Sequence, residues 1–132
     1  MQRIDGWPLL PTLFLFFLCW LACCWPWLSG AVTIPWDAKA HFYPQLQFLA
    51  RSLHEGQSPF WTPNVFSGQP QIADPQSLIF SPPFLLLASL DAAPSLSVTD
   101  AATFGALFCG GVFVILFFRD RGWHWGGAIL AA

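Results

Sequence analysis

Five candidate side chains for chemistry lie in one polar stretch of the chain, between residues 31 and 77. Asp37 and His41 are four residues apart in IPWDAKAHFYP, and on one face of a helix they could share a proton or a divalent cation. Asp37 follows Trp36 directly, and its carboxylate could act as a general base. Lys39 and Arg51 could hold a phosphate through their positive charge, and Asp74, in IADPQS, could bind substrate or cap a turn. The alternative for each is an ordinary solvated side chain.

The composition limits the class of protein that can carry these residues. Hydrophobic residues make up 55% of the 132-residue chain and charged residues only 9%, whereas soluble domains have about 25% charged residues. An ordinary soluble globular domain is therefore excluded. The chain has only five Lys and Arg residues and a net charge of −2, so it has no basic surface for nucleic acid.

The first apolar segment has the length of a membrane span. Residues 6–36 contain no charged side chain, and about 20 apolar residues suffice to cross the hydrocarbon core. We predict a transmembrane helix over 7–29, with interfacial anchors at Trp7 and Trp25. The alternative is a cleaved signal peptide, although this apolar core is longer than is usual for one.

The second apolar segment lies between Asp100 and Arg119, and we predict a second transmembrane helix over 99–118. The segment contains Gly105, Gly110 and Gly111. Such small residues allow close helix packing, but glycine is also simply common in membrane helices.

The basic residues at the ends of these segments predict their orientation. Arg3 precedes the first segment, and Arg119 and Arg121 follow the second. Positively charged residues mark the cytoplasmic side, so the N-terminus is expected on the cytoplasmic side. The predicted order is a cytoplasmic N-terminus at 1–6, an extracytoplasmic loop at 30–98, a cytoplasmic turn at 119–122 and the start of a further membrane segment at 123–132. That short last segment suggests the N-terminal part of a longer polytopic protein, whose remaining helices would be partners.

The long loop has two segments with apolar patterns of their own. Apolar residues recur at helical spacing around residues 44–55, which predicts an amphipathic helix lying on the membrane surface. The same apolar stripe is equally compatible with a helix that packs against other protein. Residues 78–90 are apolar but interrupted by two prolines, and they are a candidate re-entrant segment. The predicted fold class is therefore an all-α membrane protein with two transmembrane helices, the start of a third, and a loop with an interfacial helix.

Several short motifs in this loop resemble those of a known family. They are PWDAKAHFYPQ, the G-x-x-P-x-W spacing of Gly56, Pro59 and Trp61, the G-Q-P beginning at Gly68, and the A-D-P-Q-S beginning at Ala73. In this order they resemble the N-terminal part of bacterial YfhO-like membrane proteins, within the GT-C class of polytopic glycosyltransferases. The resemblance extends over about residues 7–118.

The resemblance implies transfer of a sugar from a polyprenyl-phosphate donor to a cell-envelope acceptor on the outer face. Asp37 matches the acidic residue of the first outer loop, so it would be the general base or a metal ligand, and Asp74 matches a later acid. A divalent cation, or Lys39 with Arg51, would neutralise the phosphate leaving group, and His41 would join the substrate-binding residues.

Two other interpretations stay open from the sequence. A non-enzymatic membrane subunit or transporter half is one, although neither predicted span carries a charged residue of the kind that transport pathways need. An inactive truncated product is the other, because the family's enzymes have more membrane helices than this chain.

Overall fold

The computed structural model describes residues 7–74 and 76–132 and is mostly helical. The α-helices are α1 (Leu9–Leu28), α2 (Tyr43–His54), α3 (Pro82–Leu90), α4 (Leu96–Asp120) and α5 (Trp125–Ala131). A π-helical turn, Ala38–Phe42, leads directly into α2. The strands β1 (Trp61–Thr62) and β2 (Gln69–Pro70) form a small hairpin, and single 3₁₀ turns occupy Gln71–Ala73 and Leu78–Phe80.

Helices α1 and α4 form an antiparallel pair joined by aromatic contacts. Phe16 stacks on Phe108 with ring centroids 5.3 Å apart, and Trp27 approaches Phe104 at the same distance. Both helices are long and apolar enough to cross a membrane, and they occupy the two segments where the sequence predicts spans. All of residues 29–95 therefore lie between the C-terminal end of α1 and the N-terminal end of α4.

One glycine of α4 allows this close approach. Gly111 is buried, and a Cβ there would collide with the ring of Phe16. Gly105 and Gly110 face open space, so the packing role belongs to Gly111 and not to the glycines as a group.

Helix α5 folds back onto the α1–α4 pair after a short turn. Ala128 is fully buried with Ile115 and Phe16 in one apolar cluster. The indole N–H of Trp7 donates to the backbone oxygen of Trp123 at 2.9 Å. These contacts place residues 123–132 against the two long helices.

A second apolar cluster holds the loop together. Leu46, Leu49 and Ala50 of α2 are fully buried, and they pack with Ile79 and Ala88. The apolar stripe predicted over 44–55 therefore packs against α3 and the 3₁₀ turn before it.

The segment predicted as re-entrant is not one continuous helix. It consists of the 3₁₀ turn Leu78–Phe80 followed by the nine-residue α3, which begins at Pro82. Proline is tolerated in a first helical turn because its missing N–H would have no partner there. The two prolines therefore start α3 and do not break it.

The β-hairpin depends on one glycine of the sequence motifs. Gly68 has φ +114°, and an added Cβ would lie 2.5 Å from Cζ2 of Trp61. Only glycine suits this conformation and this approach. The hairpin pairs Trp61 with Pro70 and Thr62 with Gln69, and it brings residues 62–71 beside α2.

Candidate functional site

Asp37 lies at the start of the π-helical turn, directly after a strained residue. Trp36 has φ +57° and is 85% exposed, a backbone conformation that a bulky side chain rarely adopts. Its carbonyl oxygen accepts from the N–H groups of Lys39 and Ala40, both at 3.0 Å. Strain of about 1–3 kcal/mol is held where surrounding structure fixes it, often at functional sites. The turn thus presents the exposed carboxyl of Asp37 beyond the end of α1.

Asp37 borders two cavities of different character. One has a volume of about 490 Å³ and is lined mainly by apolar side chains from the segment before Asp37, from α3 and from α4, such as Ile34, Phe84 and Leu96. The other has a volume of about 290 Å³ and is lined by Asp37, His41, Phe42 and Gln76. The carboxyl therefore lies where an apolar space meets a polar one.

A buried carboxylate that sequence reasoning missed fixes the segment before Asp37. Asp100, in the second turn of α4, is only 2% exposed, and its Oδ2 accepts from the backbone N–H of Ile34 at 3.0 Å. It lines the same apolar cavity as Asp37. In the sequence Asp100 marks only the edge of an apolar run, so no local signal assigns it a partner 66 residues away.

His41 and Asp74 are brought together by a glutamine that sequence reasoning also missed. Gln45 Nε2 donates to Asp74 Oδ2 at 3.1 Å and lies 3.0 Å from His41 Nε2. His41 Nε2 and Asp74 Oδ2 are 4.0 Å apart. The sequence predicts Asp37 as the partner of His41; in the structure, Gln45 links His41 to Asp74, and His41 also lines a cavity with Asp37.

Asp74 also has the turn-capping contact that the sequence allows. Its Oδ1 accepts from the N–H of Gln76 at 2.9 Å, and its backbone oxygen accepts from Ser77 at 3.1 Å. Pro75, between them, lies outside the described residues. One oxygen of the carboxylate thus holds the turn while the other binds Gln45.

Arg51 and Lys39 occupy different places. Arg51 lines a third cavity of about 490 Å³ between α2 and the hairpin, together with His41 and Gln45. Lys39 is exposed, and it lines neither of the cavities that Asp37 borders. The structure therefore groups Arg51 with His41 and not with Asp37.

The side chains around Asp37 do not fit a metal site held by protein alone. Across residues 7–74 and 76–132, no three His, Cys, Asp or Glu side chains come together in a way that could hold a metal ion. Such sites use several donor side chains at once.

The sequence and fold were compared with known proteins. No family model matches the chain, and no curated protein or solved structure matches it significantly.

Proposed function

We propose that the chain is the part of a membrane glycosyltransferase that carries the catalytic base, and that it transfers a sugar from a polyprenyl-phosphate donor to an acceptor hydroxyl in the cell envelope. The observation that carries the proposal is the position of Asp37 between an apolar cavity and a polar one. A lipid-linked sugar has the same division, because its tail is apolar and its head is polar. The apolar cavity suits part of the isoprenoid, and the polar one suits the head group.

In the proposed reaction, Asp37 removes the proton from the acceptor hydroxyl. The acceptor oxygen forms a bond to the anomeric carbon while the bond from that carbon to the phosphate oxygen breaks. Polyprenyl phosphate leaves, and the configuration at the anomeric carbon inverts. Lys39, an exposed side chain two residues after Asp37, would have to turn toward the head group to stabilise the charge that develops on the leaving phosphate.

The proposal includes a membrane setting for the α1–α4 pair. Their length and apolar composition support two spans, and the polar residues 30–95 then lie together on one side. Arg119 and Arg121 lie at the opposite end of the pair, which supports a cytoplasmic location for that end under the positive-inside rule. We propose the inner membrane of a bacterium, with Asp37 on its outer face.

The test is replacement of Asp37 by asparagine in the longest form of the protein that the producing cell makes. Removal of a general base is expected to lower transfer by about 10²–10⁴-fold. Asp91→Asn is the matched control, because Asp91 is equally exposed and its carboxylate only caps the turn after α3. The measurement is the amount of surface glycan and of accumulated lipid-linked sugar at equal protein level.

Accumulation of the lipid donor in the Asp37→Asn strain alone supports the proposal. Equal glycan and donor levels in the two strains and the wild type would remove Asp37 from catalysis and favour a non-enzymatic membrane subunit.

A further inference from the structure

The cavity between α2 and the β-hairpin has a chemistry distinct from that of the space around Asp37. Its volume of about 490 Å³ lies within the range of about 300–1,000 Å³ for small-molecule sites. Amide side chains dominate its polar lining: Gln45, Gln47, Asn64, Gln69 and Gln71. The rings of Phe48 and Phe66 complete it.

The amide nitrogens of the two glutamines on α2 that line this cavity are already used. Gln45 Nε2 is engaged by His41 and Asp74. Gln47 Nε2 donates to the hydroxyl of Tyr43 at 2.6 Å and to the backbone oxygen of Pro94 at 3.0 Å. Each amide nitrogen has two hydrogens, so what remains on both side chains is the acceptor oxygen.

One of these oxygens is left without a partner in the described part of the chain. Gln45 Oε1 is buried and accepts no hydrogen bond there. Buried polar atoms are almost always hydrogen-bonded, so this isolated acceptor, on a residue that lines the cavity, points to a ligand that donates to it.

Donors line the same cavity. Arg51 lines it from α2, and Asn64 and Gln69 line it from the hairpin. A hydroxyl group both donates and accepts, so a ligand rich in hydroxyls satisfies these donors as well as the free amide oxygens. An anion would meet the amide oxygens, and a cation would meet Arg51.

The hairpin tip supplies an apolar surface at the mouth of the cavity. Phe66 is 91% exposed and has φ +49°, and Ser67 follows with φ +63°. Two successive non-glycine residues in the left-handed region are costly, and here they hold an aromatic ring outward. Mostly apolar walls with a few placed polar groups are typical of small-molecule sites, and the C–H face of a sugar ring fits such a surface.

From these contacts we infer that this cavity is a saccharide-binding site that takes an uncharged, hydroxyl-rich ligand. The inference goes beyond the proposed transfer reaction and does not require Asp37 to be catalytic. If transfer also occurs, this cavity is the place for the sugar portion of the acceptor.

The test is saturation-transfer-difference NMR on the full chain in detergent micelles, with cellobiose and lactose as neutral probes and glucuronate as a charged one. Gln45→Met removes the isolated acceptor with little change in size. Loss of one hydrogen bond is expected to weaken neutral-sugar binding by up to about tenfold. Gln57→Met is the matched control, because Gln57 is exposed and does not line this cavity.

Phe66→Ala is the second variant. Because the Phe66 ring is exposed, its removal is not expected to disturb folding. It too is expected to weaken neutral-sugar binding. Three results would overturn the inference. The first is the absence of a saturation-transfer signal from both neutral probes, and the second is equal affinity in the Gln45 and Gln57 variants. The third is tighter binding of glucuronate than of the neutral probes. Asp37→Asn is expected to bind these probes like the wild type, so failure of the transfer reaction and failure of this site give different results.

Discussion

Replacing Asp100 with alanine should free the segment that leads into Asp37. The Asp100 carboxylate is 2% exposed and accepts from Ile34 N–H at 3.0 Å. A hydrogen bond to a charged group contributes about 1.5–3 kcal/mol. Exchange of the Ile34 amide is taken to require local opening of this hydrogen bond. Loss of the bond then speeds exchange by roughly 10- to 150-fold, since each 1.4 kcal/mol changes an equilibrium constant tenfold. Asp100→Asn keeps an acceptor oxygen without the charge, so its effect should be smaller.

The assay is amide hydrogen exchange of the chain in detergent micelles, followed at Ile34. Pro35 has no N–H, so it adds no exchange signal beside Ile34. The control is Asp91→Ala, which removes an exposed carboxylate that accepts from the N–H of Ala93 at 2.9 Å. Unchanged exchange at Ile34 in Asp100→Ala, with the same helix content as the wild type, would refute the role of Asp100 in holding this segment.

Glycine substitutions test the packing of the fold. Gly111→Ala places a methyl group against the ring of Phe16 and should destabilise the α1–α4 pair by about 1–3 kcal/mol. Gly110 faces open space, so Gly110→Ala should be neutral or stabilising. Thermal unfolding in detergent measures both variants, and equal melting temperatures would contradict the close packing at Gly111. Gly68→Ala combines φ +114° with a contact on Trp61 and should open the hairpin, which limited proteolysis at residues 61–70 would detect; an unchanged cleavage pattern would show that the hairpin tolerates a side chain there.

The two long helices could be predicted from sequence because their signal is local. A long, charge-free apolar segment is expected to be helical in lipid or in a protein core. In both environments the backbone N–H and C=O groups have no water to bind, so they bond to each other within the helix. The predicted 7–29 and 99–118 correspond to Leu9–Leu28 and Leu96–Asp120. The membrane itself and the orientation stay predictions.

Helix α2 shows where a local pattern stops being informative. Its apolar stripe predicts a helix at residues 44–55, and the helix is Tyr43–His54. The stripe does not say what covers it, because lipid and protein both bury apolar side chains. The fold shows that Ile79 and Ala88 pack against Leu46 and Leu49.

For the candidate site, the sequence by itself determined the residue types and the local geometry of single turns. The four-residue spacing of Asp37 and His41, and the ability of Asp74 to cap its own turn, are properties of neighbouring residues. Only the tertiary structure decided which groups meet. Gln45 joins Asp74 across 29 residues and Asp100 holds Ile34 across 66. The packing of α1 on α4 and of α2 on α3 brings these distant segments together, and no short-range pattern records such pairings.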